Sequence, residues 1–218
     1  MSIVVRTLSE QVFEIIRERI VSGQVARDAP IRQDALAAEL GVSKIPVREA
    51  LARLEQEGLL TSHANRGYSV RAMSADEAVE IFELRLAIEP AAARAGSLVA
   101  DDDDRATVER LFEELDTATM EGASDVAERN RRFHTALVRP GQRLLTIQLI
   151  ERLAVLSERY VIAHLAPAGR ESRAHKEHRG LLDAWLAQDG ERTATLLAAH
   201  IQGTLDDLRQ QLDVQRSA

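Results

Sequence analysis

The sequence contains no cysteine. Disulfides and thiolate metal sites are therefore excluded, and any metal must be held by His, Asn, Asp or Glu. Aromatic residues are scarce, at 3% of 218 residues, although 45% of the chain is hydrophobic. The core must then be built from Leu, Ala, Val and Ile, a composition that suits packed helices better than sheets. No run of 18 apolar residues occurs, and no charged-then-apolar leader opens the chain. Neither a membrane-spanning nor a secreted protein is expected, which leaves the cytoplasm as the expected location. The length allows one ordinary domain with a smaller one, or a single larger one. Positive charge is also in deficit: 28 Lys and Arg face 35 Asp and Glu, a net charge of −7. That balance speaks at first against nucleic acid, but it is unevenly spread. Residues 1–70 hold nine basic and nine acidic residues, so the whole deficit lies in the remainder. Between 43 and 71, Lys44, Arg48, Arg53, Arg66 and Arg71 outnumber Glu49, Glu55 and Glu57. A DNA-binding surface needs local positive charge, not a basic whole protein.

What is present is helical punctuation. Leu8, Val12, Ile15, Ile16, Arg19 and Ile20 form an apolar stripe that ends near Gly23. A loop over 24–31 contains Asp28 and Pro30. A short helix follows, with Leu36, Ala37 and Leu40 inward, and stops at Gly41. Ser43 is placed to cap a third helix, with Pro46 in its first turn, where a missing N–H costs little. Val47, Leu51 and Leu54 are its inner stripe, and Gly58 ends it. Thr61–Val70 carries Thr, Ser, Tyr and Val around Asn65-Arg66-Gly67, the pattern of a β-hairpin.

Beyond Arg71 the pattern is helical almost throughout. Ser74 and Glu77 have capping-box spacing. Helices are expected near 75–95, 102–121, 124–138, 142–165, 169–188 and 190–212, separated by Gly122, Pro140-Gly141, Pro167 and Gly190. The acidic run Asp101–Asp104 sits at a helix start, where it complements the helix dipole. The expected fold is mostly α: a three-helix unit with a hairpin over 1–71, a linker at 72–75, and a six-helix bundle over 76–213.

Two constellations carry chemistry. On the third helix Lys44 and Arg48 are four apart and share a face opposite Val47, Leu51 and Leu54. A recognition helix offers the N-terminal part of such a face to base edges, where Arg and Lys are the commonest partners of guanine. Ser43 and the first helical N–H groups suit a phosphate, and Arg66 at the hairpin tip suits a minor groove or its phosphates. The alternative is an ordinary surface helix with ordinary charges. The run Leu40-Gly41-Val42-Ser43-Lys44-Ile45-Pro46-Val47-Arg48-Glu49-Ala50-Leu51, with Leu54, Gly58-Leu59-Leu60 and Asn65-Arg66-Gly67-Tyr68, closely resembles the winged helix-turn-helix of the GntR family over roughly residues 8–70. The resemblance implies operator contact by Ser43, Lys44, Arg48 and Arg66. The candidate DNA-binding set is accordingly Ser43, Lys44, Pro46, Arg48, Arg66 and Gly67. Many members carry Arg where this chain has Lys44, which keeps the charge but loses the two-pronged donor. The 27–30 loop also departs, with Arg-Asp-Ala-Pro where Pro-Gly is frequent.

The second constellation involves three of six histidines. Asn130 and His134 are four apart on one helix face, while His178 and His200 fall on two later helices. Side chains from facing helices of a bundle can converge on a metal; isolated structural histidines are the alternative. Asn130-Arg131-Arg132-Phe133-His134, then His178, then His200, resembles the FCD domain, the effector-binding half of the fatty-acid-regulator branch of GntR proteins, over about residues 76–212. The resemblance implies a divalent metal on Asn130, His134, His178 and His200, completed by a small carboxylate effector. Zinc is the default ion, with nickel or manganese as others. Where many members have Asp, this chain has Asn130, a neutral ligand that leaves the ion its full charge. Arg85, on the inward side with Ile81 and Ile88, is either a carboxylate clamp for the effector or half of an Arg85–Glu89 pair. His63, His164 and His175 are read as surface or structural, and Phe133 and Trp185 as core. The expected protein is a homodimeric regulator, a repressor released by its effector, reading a near-palindromic double-stranded operator. A metal sensor without organic effector, a helical interaction module anchored on DNA, and a metal-dependent hydrolase are the rivals. The hydrolase lacks any His-Glu-x-x-His pairing.

Overall fold

The computed structural model describes residues 6–25, 30–63, 67–123, 125–164 and 170–217. It divides into two compact units, Met1–Ser74 and Ala75–Ala218. Among the described residues no helix is long and apolar enough to cross a membrane.

The first unit contains α1 (Leu8–Val21), β1 (Pro30–Ile31), α2 (Gln33–Leu40), α3 (Lys44–Gln56), β2 (Leu60–His63) and β3 (Gly67–Val70). Helix α1 begins at a capping box in which Thr7 and Glu10 each satisfy the other's backbone N–H. Its buried side is Val12, Phe13, Ile16, Ile20 and Val21. Leu8 and Ile15, expected inward, are exposed, because the buried face is centred on Phe13 and shifted around the axis. Helix α2 stops at Gly41, whose φ of 65° is left-handed and tolerated best by glycine. Helix α3 buries Val47, Ala50, Leu51 and Leu54 against α1. The sheet has three strands, not the two of a simple hairpin. β3 lies between β2 and β1, both antiparallel to it, with Pro30 opposite Ser69 and Ile31 opposite Tyr68. The segment expected as loop up to residue 31 thus closes one edge of the wing.

The second unit is helical among its described residues: α4 (Ala75–Val99), α5 (Asp102–Glu121), α6 (Val126–Val138), a 3-10 turn at Arg139–Gly141, α7 (Leu144–His164), α8 (Arg170–Leu186) and α9 (Gly190–Ser217). The acidic run at 101–104 does more than complement a dipole. Asp101 caps α5 by accepting from the Asp104 N–H at 2.8 Å, and Asp104 accepts from the Asp101 N–H in return. Helix α4 packs along α9 and also meets α6 and α7. Its crossing with α6 is very close at Gly96, where a Cβ would lie 2.2 Å from the Leu137 carbonyl oxygen. That carbonyl also accepts from Trp185 Nε1 at 3.0 Å, so the single tryptophan is core with a satisfied N–H.

Candidate functional site

The first candidate surface is the start of α3. Lys44 and Arg48 are exposed, but they flank the buried stripe of Val47, Leu51 and Leu54 and do not lie opposite it, since Lys44 precedes Val47 by three residues and Leu51 by seven. Ser43 occupies the cap position with extended backbone, yet its side chain makes no capping hydrogen bond. The expected cap is therefore positional only, and the hydroxyl is not engaged by the helix. Pro46 is buried; its ring packs inward and offers no donor or acceptor, so it shapes the helix start and presents nothing at the surface. Lys44 pairs with Asp34 of α2 at 2.6 Å, with both side chains well exposed. The pair is solvent-screened and breaks cheaply. Gly67 opens β3 at φ 82°, a left-handed turn conformation. Arg66 lies outside the described residues. His63 is exposed, with Nε2 2.8 Å from Ser69 Oγ across the hairpin.

The second is a cavity of about 360 Å³ within the helical unit. Asn130, His134, His178, His200 and Arg85 all line it. They reach it from α6, α8, α9 and α4, so four helices supply five side chains. His134 Nε2 stands 3.1 Å from His178 Nε2, and His178 Nε2 stands 3.3 Å from His200 Nε2. Two nitrogens bound to one ion at about 2.0–2.1 Å lie roughly 2.9 Å apart at right angles and roughly 3.3 Å apart at a tetrahedral angle. The spacing fits a shared cation. Hydrogen bonding alone serves the cluster poorly. Burial, then the neighbouring His178, His200 and Arg85, hold the His134 pKa well below its ordinary 6.5, so its ring is neutral. Its Nδ1 is buried and has no hydrogen-bond partner. A neutral ring with one occupied nitrogen at most is what a metal accepts.

His200 is set differently. Its Nδ1 lies 2.7 Å from Glu177 Oε2. A proton held there leaves Nε2 with its lone pair turned toward the other two rings. Phe133, fully buried, stands edge-on to both His134 and His178 at 5.5 Å between centroids. It is core, as expected, and it also limits how these imidazoles can tilt. Asn130 is half-buried on the cavity wall, one turn before His134.

Arg85 forms the helix pair with Glu89 and also lines the cavity. Its Nε and Nη2 donate to Glu89 at 2.6 and 3.2 Å, and Nη1 donates to Ser157 Oγ at 3.0 Å. It therefore lines the cavity already neutralised by its helix neighbour. A second buried pair, Arg131–Glu158, lines the same cavity from α6 and α7. His175, read as surface or structural, pairs through Nδ1 with Asp116 Oδ1 at 2.5 Å, and both residues line the cavity. The His164 side chain lies outside the described residues. Glu177, Arg131, Glu158 and Asp116 were not legible as site residues. Only Arg131 left a signal, three residues before His134 and so on the same helix side.

A winged helix joined to a helical unit with a ligand-sized cavity is the build of a DNA-binding transcription regulator. Residues 8–70 match the bacterial regulatory proteins of the gntR family, and residues 80–203 match the FCD domain; the chain belongs to the GntR family. It is similar to the HTH-type transcriptional regulator BphR of Paraburkholderia xenovorans, 32% identical across 94% of this chain and 87% of that protein. It is also similar to a probable D-xylose utilization operon transcriptional repressor of Paenarthrobacter nicotinovorans, 30% identical across 91% and 88% of the two chains. Among solved structures, E. coli McbR/YncC superposes with a TM-score of 0.83 at 26% identity, covering 95% of this chain and all of that one. GntR regulators bind operator DNA, and an FCD domain points to a small-molecule effector. The hydrolase alternative falls with this assignment.

Proposed function

We propose that the chain is a homodimeric repressor whose operator affinity is set by a small organic acid bound beside a divalent metal ion in the helical unit. The observation that carries the reading is the approach of three Nε2 atoms, two of the pairs at 3.1 and 3.3 Å, on the wall of a ligand-sized cavity. His134, His178 and His200 would hold the ion, with Asn130 as the fourth protein ligand. Zinc is favoured, and nickel or manganese would suit the same donors. A bound ion supplies an uncompensated charge of +2, because every one of these ligands is neutral. The chain's own residues do the remaining work. Burial keeps His134 deprotonated, Glu177 fixes the His200 tautomer, and Phe133 restricts the rings. On the DNA side, Ser43, Lys44 and Arg48 are the reading face of α3, supplemented by Arg66 and Gly67 of the wing.

The test uses an operator selected from a random pool by the full chain. Fluorescence anisotropy then follows release of that DNA during titration with organic acids, on zinc-loaded and chelator-stripped protein. Release by acid only when zinc is present supports the reading. Equal acid affinity with and without metal would sink it, and release by metal alone would make the protein a metal sensor instead.

A further inference from the structure

We propose that the acid recognised by this cavity is a monocarboxylate with an apolar body of aryl or branched-chain size, and that di- and tricarboxylates are excluded. The inference rests on the metal-centred effector reading and names its ligand class.

The first ground is charge. The cavity wall carries two arginines, and each is already matched by a carboxylate of the same chain. Arg85 is held in two-pronged fashion by Glu89, which is itself only 2% exposed, and again by Ser157. Arg131 is paired with Glu158, and both are buried. Asp116 adds a further carboxylate to the wall, paired with His175. The protein side chains therefore leave no unmatched positive charge for a guest, and the ion held by three neutral imidazoles is the single remaining positive centre. One carboxylate on the ligand can be matched there. A second would be taken out of water into a site where every cation is committed and another carboxylate faces the cavity, an arrangement strongly disfavoured by desolvation and repulsion.

The second ground is the rest of the wall. Phe112, Leu115, Val126, Val161, Ile162 and Ile201 line the same cavity. Such a surface gains by covering apolar carbon, and the Thr119, Ser157 and Thr204 hydroxyls on the same wall already donate to backbone carbonyls, so the wall favours an apolar body over a polyhydroxylated one. The third ground is size. About 360 Å³, at roughly the 30 Å³ that one water takes in the liquid, accommodates a guest on the order of ten non-hydrogen atoms.

Phenylacetate and adipate have the same number of non-hydrogen atoms and differ in the property at issue. Isothermal titration of each into the zinc-loaded full chain should give phenylacetate at least tenfold the tighter dissociation constant. Adipate binding equally or more tightly overturns the proposal, and so does failure of both acids to bind at millimolar concentration. Zinc titration into stripped wild type and into His134→Ala reads the underlying metal site separately. If zinc binds neither, the metal reading fails, and a preference for adipate on the metal-free protein still overturns the ligand class. Glu158→Gln supplies a gain-of-function arm. It releases the Arg131 guanidinium, so adipate affinity should rise at least tenfold relative to phenylacetate. An unchanged ratio in the folded variant overturns the charge argument.

Discussion

Gly96→Ala tests how the helical unit is held together, independently of any ligand. A Cβ added there would sit 2.2 Å from the Leu137 carbonyl oxygen and 3.3 Å from its carbon. An ordinary carbon–oxygen contact is about 3.3–3.6 Å, so α4 and α6 must separate by roughly 1 Å. The obstacle is backbone, which cannot rotate aside as a side chain does. Overpacking of this kind costs about 1–3 kcal/mol. The displaced carbonyl is also the acceptor of the buried Trp185 Nε1 at 3.0 Å, and leaving that donor unsatisfied adds about 1–3 kcal/mol. Alanine returns about 1 kcal/mol of helix propensity over glycine. The net expectation is a loss of about 1–5 kcal/mol, which at roughly 3 °C per kcal/mol lowers the melting midpoint by about 3–15 °C. Gly180→Ala is the matched control. Gly180 also lies inside a helix, yet a Cβ there meets nothing within 4 Å, so only the propensity gain of about 1 kcal/mol remains. Both variants are compared with wild type by differential scanning calorimetry on chelator-stripped protein. Should Gly96→Ala melt at or above the wild-type temperature, as Gly180→Ala is expected to, the close α4–α6 approach is wrong.

Three further outcomes are expected. Arg48→Ala should lose about 1–3 kcal/mol of specific operator binding, while Lys44→Ala should lose less, since Lys44 must leave Asp34 to engage DNA; equal losses in an anisotropy titration would contradict that ranking. Glu177→Gln should weaken zinc binding about 10–100-fold without lowering the melting midpoint of the stripped protein, because the group is partly exposed and acts through His200; unchanged zinc affinity in a chelator competition removes it from the site. Asn130→Asp should tighten zinc and weaken the acid, since a carboxylate neutralises part of the ion's charge. A variant that binds both as wild type does would show that residue 130 is not a ligand.

The helices were legible because their periodicity, caps and stop residues agree, and α5 shows this well. Asp101, Asp104 and Gly122 mark both of its ends, and Val108, Leu111, Phe112, Leu115 and Ala118 repeat along its buried side. Strand β1 was not legible for the opposite reason. Two residues, Pro30 and Ile31, are too few to show alternation, and their strand character comes from pairing with Ser69 and Tyr68 far along the chain. The stripe of α1 is legible at Val12, Ile16 and Ile20, which are buried; Leu8 and Ile15 look as apolar as Phe13, and only packing decides between them.

The cavity divides the same way. Spacing could place Asn130 beside His134 and Arg85 beside Glu89, since both are one-turn relations. It could not bring His178 and His200 to His134, and there the family resemblance supplied what periodicity lacks. Nor could it identify Arg131 and Glu158, whose burial depends on α6 facing α7. A charged residue on a helix reads as solvated until its opposite number is known. This is why the charge balance of the site, and with it the class of acid proposed for it, emerges only in three dimensions. In sequence Arg85 is either a carboxylate clamp or half of a helix pair, and Arg131 is a charge on a helix like any other. In the folded unit both are matched by glutamates, and under the proposed function specificity passes from the arginines to the metal and the apolar wall.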